Sequence, residues 1–223
     1  MFYAQIEQQA TGEITVCQHA LVRARGPSEA AVRRHLGACL DTCHAAVEFE
    51  DPREAFERAT AGATALGKLQ FSSALLLRAP DEDPAGRARL AGLDEPVYLH
   101  QVTGRRGKEL LRIVDLGELT RMEHAWRGCD EWRCHFHVPV DLREFGGVGG
   151  LATTRGEAER ALAAALSAPE RWGSRELHVE VETYTWSLFT LAQTGVTTRL
   201  EGLERELAYV LDWLSDAGWR PGV

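Results

Sequence analysis

The sequence lacks the segments by which membrane and exported proteins are recognised. No apolar run approaches the roughly 20 residues that a transmembrane helix needs. Residues 1–7 show no basic region followed by an apolar core, so they do not resemble a signal peptide. Both absences predict a cytoplasmic protein without a membrane span.

Cysteine is scarce, and its spacing forms no recognisable framework. The chain has five cysteines, an odd number, and no two of them are spaced C-x-x-C. Neither a disulfide framework nor a thiolate zinc site is therefore predicted. Reduced thiols fit the cytoplasm, and we expect most of the five to be small core residues.

Motifs for nucleotides and nucleic acids are also absent. The sequence has no Walker A loop and no G-x-G-x-x-G after a predicted strand, and the glycine-rich residues 146–150 lack the lysine of a phosphate loop. The formal net charge is −8, from 33 acidic and 25 basic residues. Because such a surface repels phosphate backbones, no nucleic-acid partner is expected.

What the sequence does contain is an alternation of strand and helix patterns. Helices are predicted at residues 28–36, from Asp51 onward, and at 116–126, 154–167 and 199–217. A β-hairpin is predicted as an insertion near residues 96–117. Four parallel strands are predicted from runs rich in apolar and β-branched residues, because strands that alternate with helices pair in parallel. These strands are residues 37–44, 67–77, 133–140 and 176–186.

Two histidines in the third predicted strand are the first candidates for chemistry. His135 and His137 are two residues apart, so both side chains point to one face of a strand. Two imidazoles that converge from one side form a compact metal-binding pair. The alternative is that both are polar residues of a barrel interior, hydrogen-bonded to their neighbours.

The last predicted strand adds carboxylates. Glu180 and Glu182 share one face, and carboxylates on so apolar a strand need a metal, an arginine or water as partner. Glu182 is favoured as the ligand because it is nearer the carboxyl end of the strand. The alternative is an edge strand that exposes one face to solvent.

The first two strands end in further polar residues. Asp41 lies near the end of its strand and His44 in the following loop, so together they offer a carboxylate and an imidazole. Asp41 could equally cap the loop. Gln70 and Ser72 are predicted to hydrogen-bond a polyol or carbonyl, or to cap the end of the second strand.

These segments resemble a known family. L-D-T-C-H at residues 40–44 resembles the strand-end L-D-T-x-H of the xylose-isomerase-like TIM-barrel superfamily, which includes sugar isomerases and ketose epimerases. The whole set is similar to one branch, the EboE family of metabolite-traffic proteins. The matching segments are residues 39–52 (CLDTCHAAVEFEDP), 67–75 (GKLQFSSAL), 98–102 (YLHQV), 135–139 (HFHVP) and 179–186 (VEVETYTW).

The resemblance implies a bacterial protein linked to the processing or export of a secondary-metabolite precursor. It implies a (β/α)-barrel site with a small-molecule metabolite and a divalent metal, for which zinc, manganese or iron suits the donors. The predicted metal ligands are Asp41, His137 and Glu182. The predicted proton-transfer residues are His44 and His135, and the predicted substrate contacts are Gln70, Ser72 and Glu180.

A complete barrel has eight strands and about 250 residues, whereas only four strands are predicted here. They match the second half of the family. Four such strands would leave open edges, so we expect a C-terminal half-barrel that an N-terminal half or a second chain completes. Glu7 and Glu13 cannot be placed in the site.

Three functions remain open at this point. The first is a metal-dependent enzyme that isomerises, epimerises or hydrolyses a sugar-like or polyol-like substrate. The second is a non-catalytic protein that holds a metabolite in the same pocket. The third is a structural subunit that docks a partner. Metal stoichiometry separates the first from the third, and turnover separates the first from the second.

Overall fold

The structure, a computed structural model, describes residues 2–4, 35–61, 65–173, 177–189 and 191–219. The predicted helix at 28–36 lies almost wholly outside these residues, as do Glu7 and Glu13. Among the described residues, no helix combines the length and the hydrophobicity that crossing a membrane requires.

In the described part of the chain the strands form two sheets. The first sheet is parallel, in the order β1-β2-β3-β9. The second is antiparallel, in the order β6-β5-β7-β4-β8. The strands are β1 (Phe2–Ala4), β2 (Leu36–Asp41), β3 (Ala65–Phe71), β4 (Ser73–Arg78), β5 (Val102–Arg106), β6 (Glu109–Ile113), β7 (Glu131–Val138), β8 (Leu151–Thr153) and β9 (His178–Val181).

The prediction of a parallel (β/α) barrel is wrong. The run at 67–77 is not one strand, since it pairs in parallel up to Phe71 and antiparallel from Ser73. The run at 133–140 is not a parallel strand either, because β7 pairs antiparallel with both β4 and β5. The predicted hairpin corresponds to β5 and β6, which extend the antiparallel sheet through β7.

Helices and short 3₁₀ turns connect and cover the sheets. The α-helices are α1 (Thr42–Val47), α2 (Pro52–Ala59), α3 (Pro84–Ala91), α4 (Leu119–Met122), α5 (Arg155–Ser167), α6 (Leu191–Thr194) and α7 (Arg199–Asp216). The 3₁₀ turns are Leu116–Glu118, Glu123–Trp126, Pro169–Trp172 and Thr185–Ser187. The predicted helix at 116–126 is therefore a short α-helix between two 3₁₀ turns.

Local sequence explains where α2 begins. Asp51 caps the helix, because its carboxylate accepts hydrogen bonds from the backbone nitrogens of Arg53 and Glu54, at 2.9 and 3.2 Å. Pro52 occupies the first helical position, where its missing N–H leaves no acceptor unsatisfied. Phe56 is fully buried and carries the helix onto the parallel sheet.

Each sheet has its own apolar core. One core joins the outer face of the parallel sheet to α2, α5 and α7, with Leu69 and Phe71 fully buried within it. The other lies against β4, β5 and β7, around Trp132 and Phe136. Because Phe136 points into this second core, alternation along β7 turns His135 and His137 to the opposite face. That face is where the two sheets meet.

Candidate metal centre

The candidate centre lies where the parallel strands end. Asp41 is the last residue of β2 and is in register with Gln70 near the end of β3, while Glu182 directly follows β9. Ligands of parallel α/β sheets bind outside the carboxyl ends of the strands. The antiparallel sheet adjoins the centre through the end of β7, where Val138 pairs with Ser73 at the start of β4.

Asp41 uses its two carboxylate oxygens differently. Oδ1 accepts hydrogen bonds from the Ser72 hydroxyl and the Cys43 nitrogen, both at 2.7 Å, and so caps α1. Oδ2 lies 3.3 Å from Nε2 of His137 and 3.9 Å from Nε2 of His44. The open alternatives for Asp41, capping and ligation, are therefore compatible, since each needs a different oxygen.

Three imidazoles cluster here, and two of them, those of His44 and His137, face this oxygen. The Nε2 atoms of His135 and His137 are 3.0 Å apart. The ring of His44 lies 4.2 Å from that of His135 and 5.7 Å from that of His137, between centroids. His44 is not in a loop, as predicted, but in α1, which lies on the polar face of β7 and receives a hydrogen bond from Arg133 to Ala46.

The donor atoms form two sets compact enough to hold an ion. Asp41, His44 and His137 offer ligand atoms that lie within 4.8 Å of one another, and so do Cys43, His135 and His137. Ligands about 2.0–2.1 Å from one zinc ion lie about 3.3 Å apart in a tetrahedron, close to the 3.3 Å between Asp41 and His137. The first set, two imidazoles and a carboxylate, leaves a position open for substrate, as catalytic centres do.

The second set depends on a thiol in an apolar setting. Cys43 is fully buried, and its Sγ lies 3.7 Å from the backbone oxygen of Phe136. Burial raises the pKa of this thiol well above its usual range, and the charge of Asp41 adds to the effect. Since the thiolate is the form of cysteine that binds metals, a thiol held protonated is a poor ligand, and the set with Asp41 fits a metal better.

Glu182 occupies the far side of His137. Its Oε2 is 3.5 Å from Nδ1 of His137, a buried atom without a hydrogen-bond partner among the described residues. An imidazole that binds a metal through Nε2 commonly presents its Nδ1–H to a carboxylate. The geometry thus suits Glu182 as the outer carboxylate that orients His137, although it was predicted as a direct ligand.

The surroundings of His135 and His137 favour the neutral form of both imidazoles. Burial lowers the pKa of His135 to about 2, and the charges of His44 and His137 act in the same direction. Burial also lowers the pKa of His137, against the opposing charge of Asp41. Burial raises the pKa of Glu182, as do Asp41 and Glu180. Neutral imidazole is the form that binds metals.

The residues predicted to contact a substrate already bond to other side chains of the protein. Ser72 is fully buried and donates to Asp41, and Gln70 donates its amide to Glu182. Glu180 forms an ion pair with Lys68. In this arrangement Ser72 and Gln70 orient the carboxylates, and their contact with a substrate stays a prediction.

Sequence reasoning missed a second buried histidine arrangement. His100 is fully buried, with Nδ1 3.0 Å from the backbone oxygen of His135 and Nε2 3.1 Å from Glu95. Its ring stacks on Phe136 at 3.8 Å between centroids. A glutamate and a histidine in one loop, at Glu95 and His100, were the available signal. Cys43 was counted among the core cysteines, and its position beside His135 has no signature in the sequence.

Comparisons with protein-family models, with curated proteins and with solved structures give no match for this chain. The resemblance to the EboE family, and the link to secondary-metabolite traffic that it implies, therefore stay predictions.

Proposed function

We propose that this protein binds one divalent transition-metal ion, zinc, manganese or iron, through Asp41, His44 and His137. We further propose that this ion coordinates an oxygen of a small hydroxylated or carbonyl-containing metabolite. His135 lies beside His137 and adds a third imidazole at the same place. The ion would act as a Lewis acid on the bound oxygen.

One observation carries the proposal: Oδ2 of Asp41 and Nε2 of His137 lie 3.3 Å apart, while Oδ1 of Asp41 is held by Ser72 and Cys43. A side chain that only capped α1 would not need imidazoles at its second oxygen. The fixed Oδ1 also limits rotation of the carboxylate. A ligand whose orientation is set before the metal arrives loses little entropy on binding.

Other residues of the protein hold the proposed ligands in position. Gln70 and Glu182 form a polar wall beside His137, and Gln70 is itself held through the Cys39 thiol, which donates to its Oε1 at 3.3 Å. Thr185 donates to the backbone oxygen of His137 at 2.6 Å and fixes the end of β7. These contacts position the ligands while leaving the side of His44, which is partly exposed, open to a substrate.

The test is metal stoichiometry on the purified chain. The protein is isolated by size exclusion and reconstituted separately with zinc, manganese and anaerobic ferrous ion. Elemental analysis of the same peak then counts bound ions. We expect about one ion per chain with at least one of these metals, and a loss of most of it in His137→Ala and in His44→Ala.

A matched control separates the site from nonspecific binding by histidine. His124 is exposed in the 3₁₀ turn Glu123–Trp126, so His124→Ala should retain the full metal content. His44→Ala guards against misfolding of His137→Ala, because His44 is more exposed than the buried His137. A folded wild-type chain that takes up none of the three metals would overturn the proposal.

A further inference from the structure

Two tyrosine side chains continue the candidate centre to the protein surface. The ring of Tyr184 lies 4.9 Å from that of His137 and 5.7 Å from that of Tyr98, between centroids. Tyr98 is 61% exposed and Tyr184 is 40% exposed. An uninterrupted series of rings therefore leads from the imidazoles to solvent.

The residues on either side of Tyr98 are apolar and still more exposed. Val97 is 71% exposed and Leu99 is 64% exposed, so three consecutive apolar or aromatic side chains face water beside a polar cluster. Single exposed apolar residues are ordinary, but a contiguous group at the rim of a site marks a ligand contact.

The loop that carries these residues is held in place. Glu95 accepts hydrogen bonds from the backbone nitrogens of Val97 and Tyr98, both at 3.0 Å, and contacts Nε2 of His100 at 3.1 Å. His100 in turn contacts the backbone oxygen of His135. The backbone of Tyr98 is thus held in place relative to β7, which carries His135 and His137. This lowers the entropy lost when a ligand packs on Tyr98.

We propose that Tyr98 and Tyr184 form an aromatic rim, and that this rim binds a flat apolar ring of a ligand whose oxygen donors reach the metal. The proposal rests on the proposed function, because it assumes the ion at Asp41, His44 and His137. The ligand is a small molecule, since one compound must span only from the imidazole cluster to the second tyrosine. Its class is a ring-bearing compound with a chelating hydroxyl, carbonyl or carboxylate.

A pair of hydroxamates tests the rim separately from the metal. Acetohydroxamate and benzohydroxamate chelate an ion through the same two oxygens, but only the second carries a ring. Each is titrated into the protein loaded with cobalt(II), whose visible spectrum reports changes in coordination. We expect both to change the spectrum, with benzohydroxamate binding about tenfold more tightly because of aromatic packing.

Tyr98→Ala should abolish most of that preference while leaving the affinity for acetohydroxamate unchanged. Tyr98→Phe, which keeps the ring, should retain it, as should Val148→Ala, a change at an exposed residue of the glycine-rich loop. Equal affinities of the wild-type protein for the two hydroxamates would overturn the rim while the metal site stands. So would a preference that survives in folded Tyr98→Ala. Failure of the protein to bind cobalt as well as zinc, manganese and ferrous ion would overturn the proposed function itself.

Discussion

The Nε2 atoms of His135 and His137 face each other at 3.0 Å. Without an ion, this distance requires that one nitrogen donates a proton and the other accepts it. If both nitrogens bound an ion, both lone pairs would be needed for it, and the ring protons would be on the Nδ1 atoms. The contact would therefore have two chemical states, and the proposed metal would select one of them.

The first prediction concerns stabilisation by zinc. An ion that binds only the folded chain stabilises it by about 2.7 kcal/mol at a hundredfold excess over its dissociation constant. For a chain of this size that corresponds to a rise of about 5–10 °C in the melting temperature. In His135→Ala the rise should be smaller, and in His124→Ala it should equal that of wild type. Each variant is compared with and without zinc, so that its own loss of stability cancels.

The second prediction uses two adjacent buried serines. Ser72 donates to Asp41, whereas the hydroxyl of Ser73 is buried without a hydrogen-bond partner among the described residues. Ser72→Ala should cost about 1–2 kcal/mol of unfolding free energy. It should also weaken metal binding by about tenfold, because an oriented ligand is lost.

Ser73→Ala is the matched control for that variant. It removes a hydroxyl that pairs with nothing described, so its stability should stay within about 0.5 kcal/mol of wild type or rise. Its metal affinity should be unchanged. Equal effects of the two substitutions, measured by denaturant unfolding and by metal titration, would show that Ser72 does not orient Asp41.

The local parts of this fold could be predicted from the sequence, and the pairing of its strands could not. The start of α2 follows from Asp51 and Pro52, whose preferences act within one turn. The change of pairing partner at Ser72 leaves no such signal, because residues 67–77 read as one continuous strand. Parallel and antiparallel pairing both bury such a run, so tertiary packing decides between them.

Helix α7 likewise forms where the sequence predicts it, but its packing is set by tertiary contacts. Leucine spacing predicts a helix at 199–217, and a helix is found at Arg199–Asp216. Only part of the predicted apolar face is packed, however, since Val210 is buried, together with Gly202, whereas Leu200, Leu203 and Leu207 are exposed. A glycine on the inner face lets the helix axis come close to the body of the protein, which hydrophobic spacing does not reveal.

The third prediction tests that close approach. A Cβ at Gly202 would lie 2.4 Å from Cη2 of Trp186, a buried ring that cannot move freely. Gly202→Ala should therefore destabilise the protein by about 1–3 kcal/mol, although alanine is the better helix former. Gly156→Ala in α5 is the control, because its nearest neighbour is the end of Arg160 at 3.8 Å.

Gly156→Ala should gain up to about 1 kcal/mol, as expected for an unhindered glycine in a helix. Thermal unfolding of the two variants gives the comparison directly. Stabilisation by both alanines would mean that α7 does not pack on Trp186 as described.

The fourth prediction concerns pH. Glu206 is buried, and it accepts hydrogen bonds from the backbone nitrogen of Val140, at 2.9 Å, and from the Thr183 hydroxyl. Burial raises the pKa of Glu206 above its usual 4.5, and the charge of Asp141 adds to the effect. Because the pKa is higher in the folded state, the stabilising contribution is complete below about pH 4.5 and is lost as pH rises through the folded pKa.

Glu206→Gln removes this titration. Relative to the variant, wild type should lose about 1.4 kcal/mol of unfolding free energy for each unit by which its folded pKa is raised. The measurement is the difference between the two unfolding free energies from pH 4.5 to pH 8. Because only the change of this difference with pH matters, a constant cost of the substitution drops out. A difference that does not vary with pH would contradict the prediction.

The candidate site was predictable as a set of donors but not as an arrangement. Asp41, His44, His135 and His137 were all recognised from residue type and strand alternation. Asp41 can both cap α1 and bind a metal because Ser72 and α1 hold its Oδ1 atom. Sequence spacing does not reveal that these neighbours meet. The position of Glu182 next to Nδ1 rather than Nε2 of His137 is likewise set by the path of the chain after β9, which sequence spacing does not reveal.

The passage of one chain segment through Ser72, from the parallel sheet to the antiparallel sheet, has a thermodynamic consequence. Asp41 belongs to one sheet and His137 to the other, so any partial opening that separates the sheets also takes the donors apart. A bound ion would then raise the free energy of that opening and slow hydrogen exchange on both sides of Ser72 together. An ion bound between the two sheets would thus make them unfold as one cooperative unit.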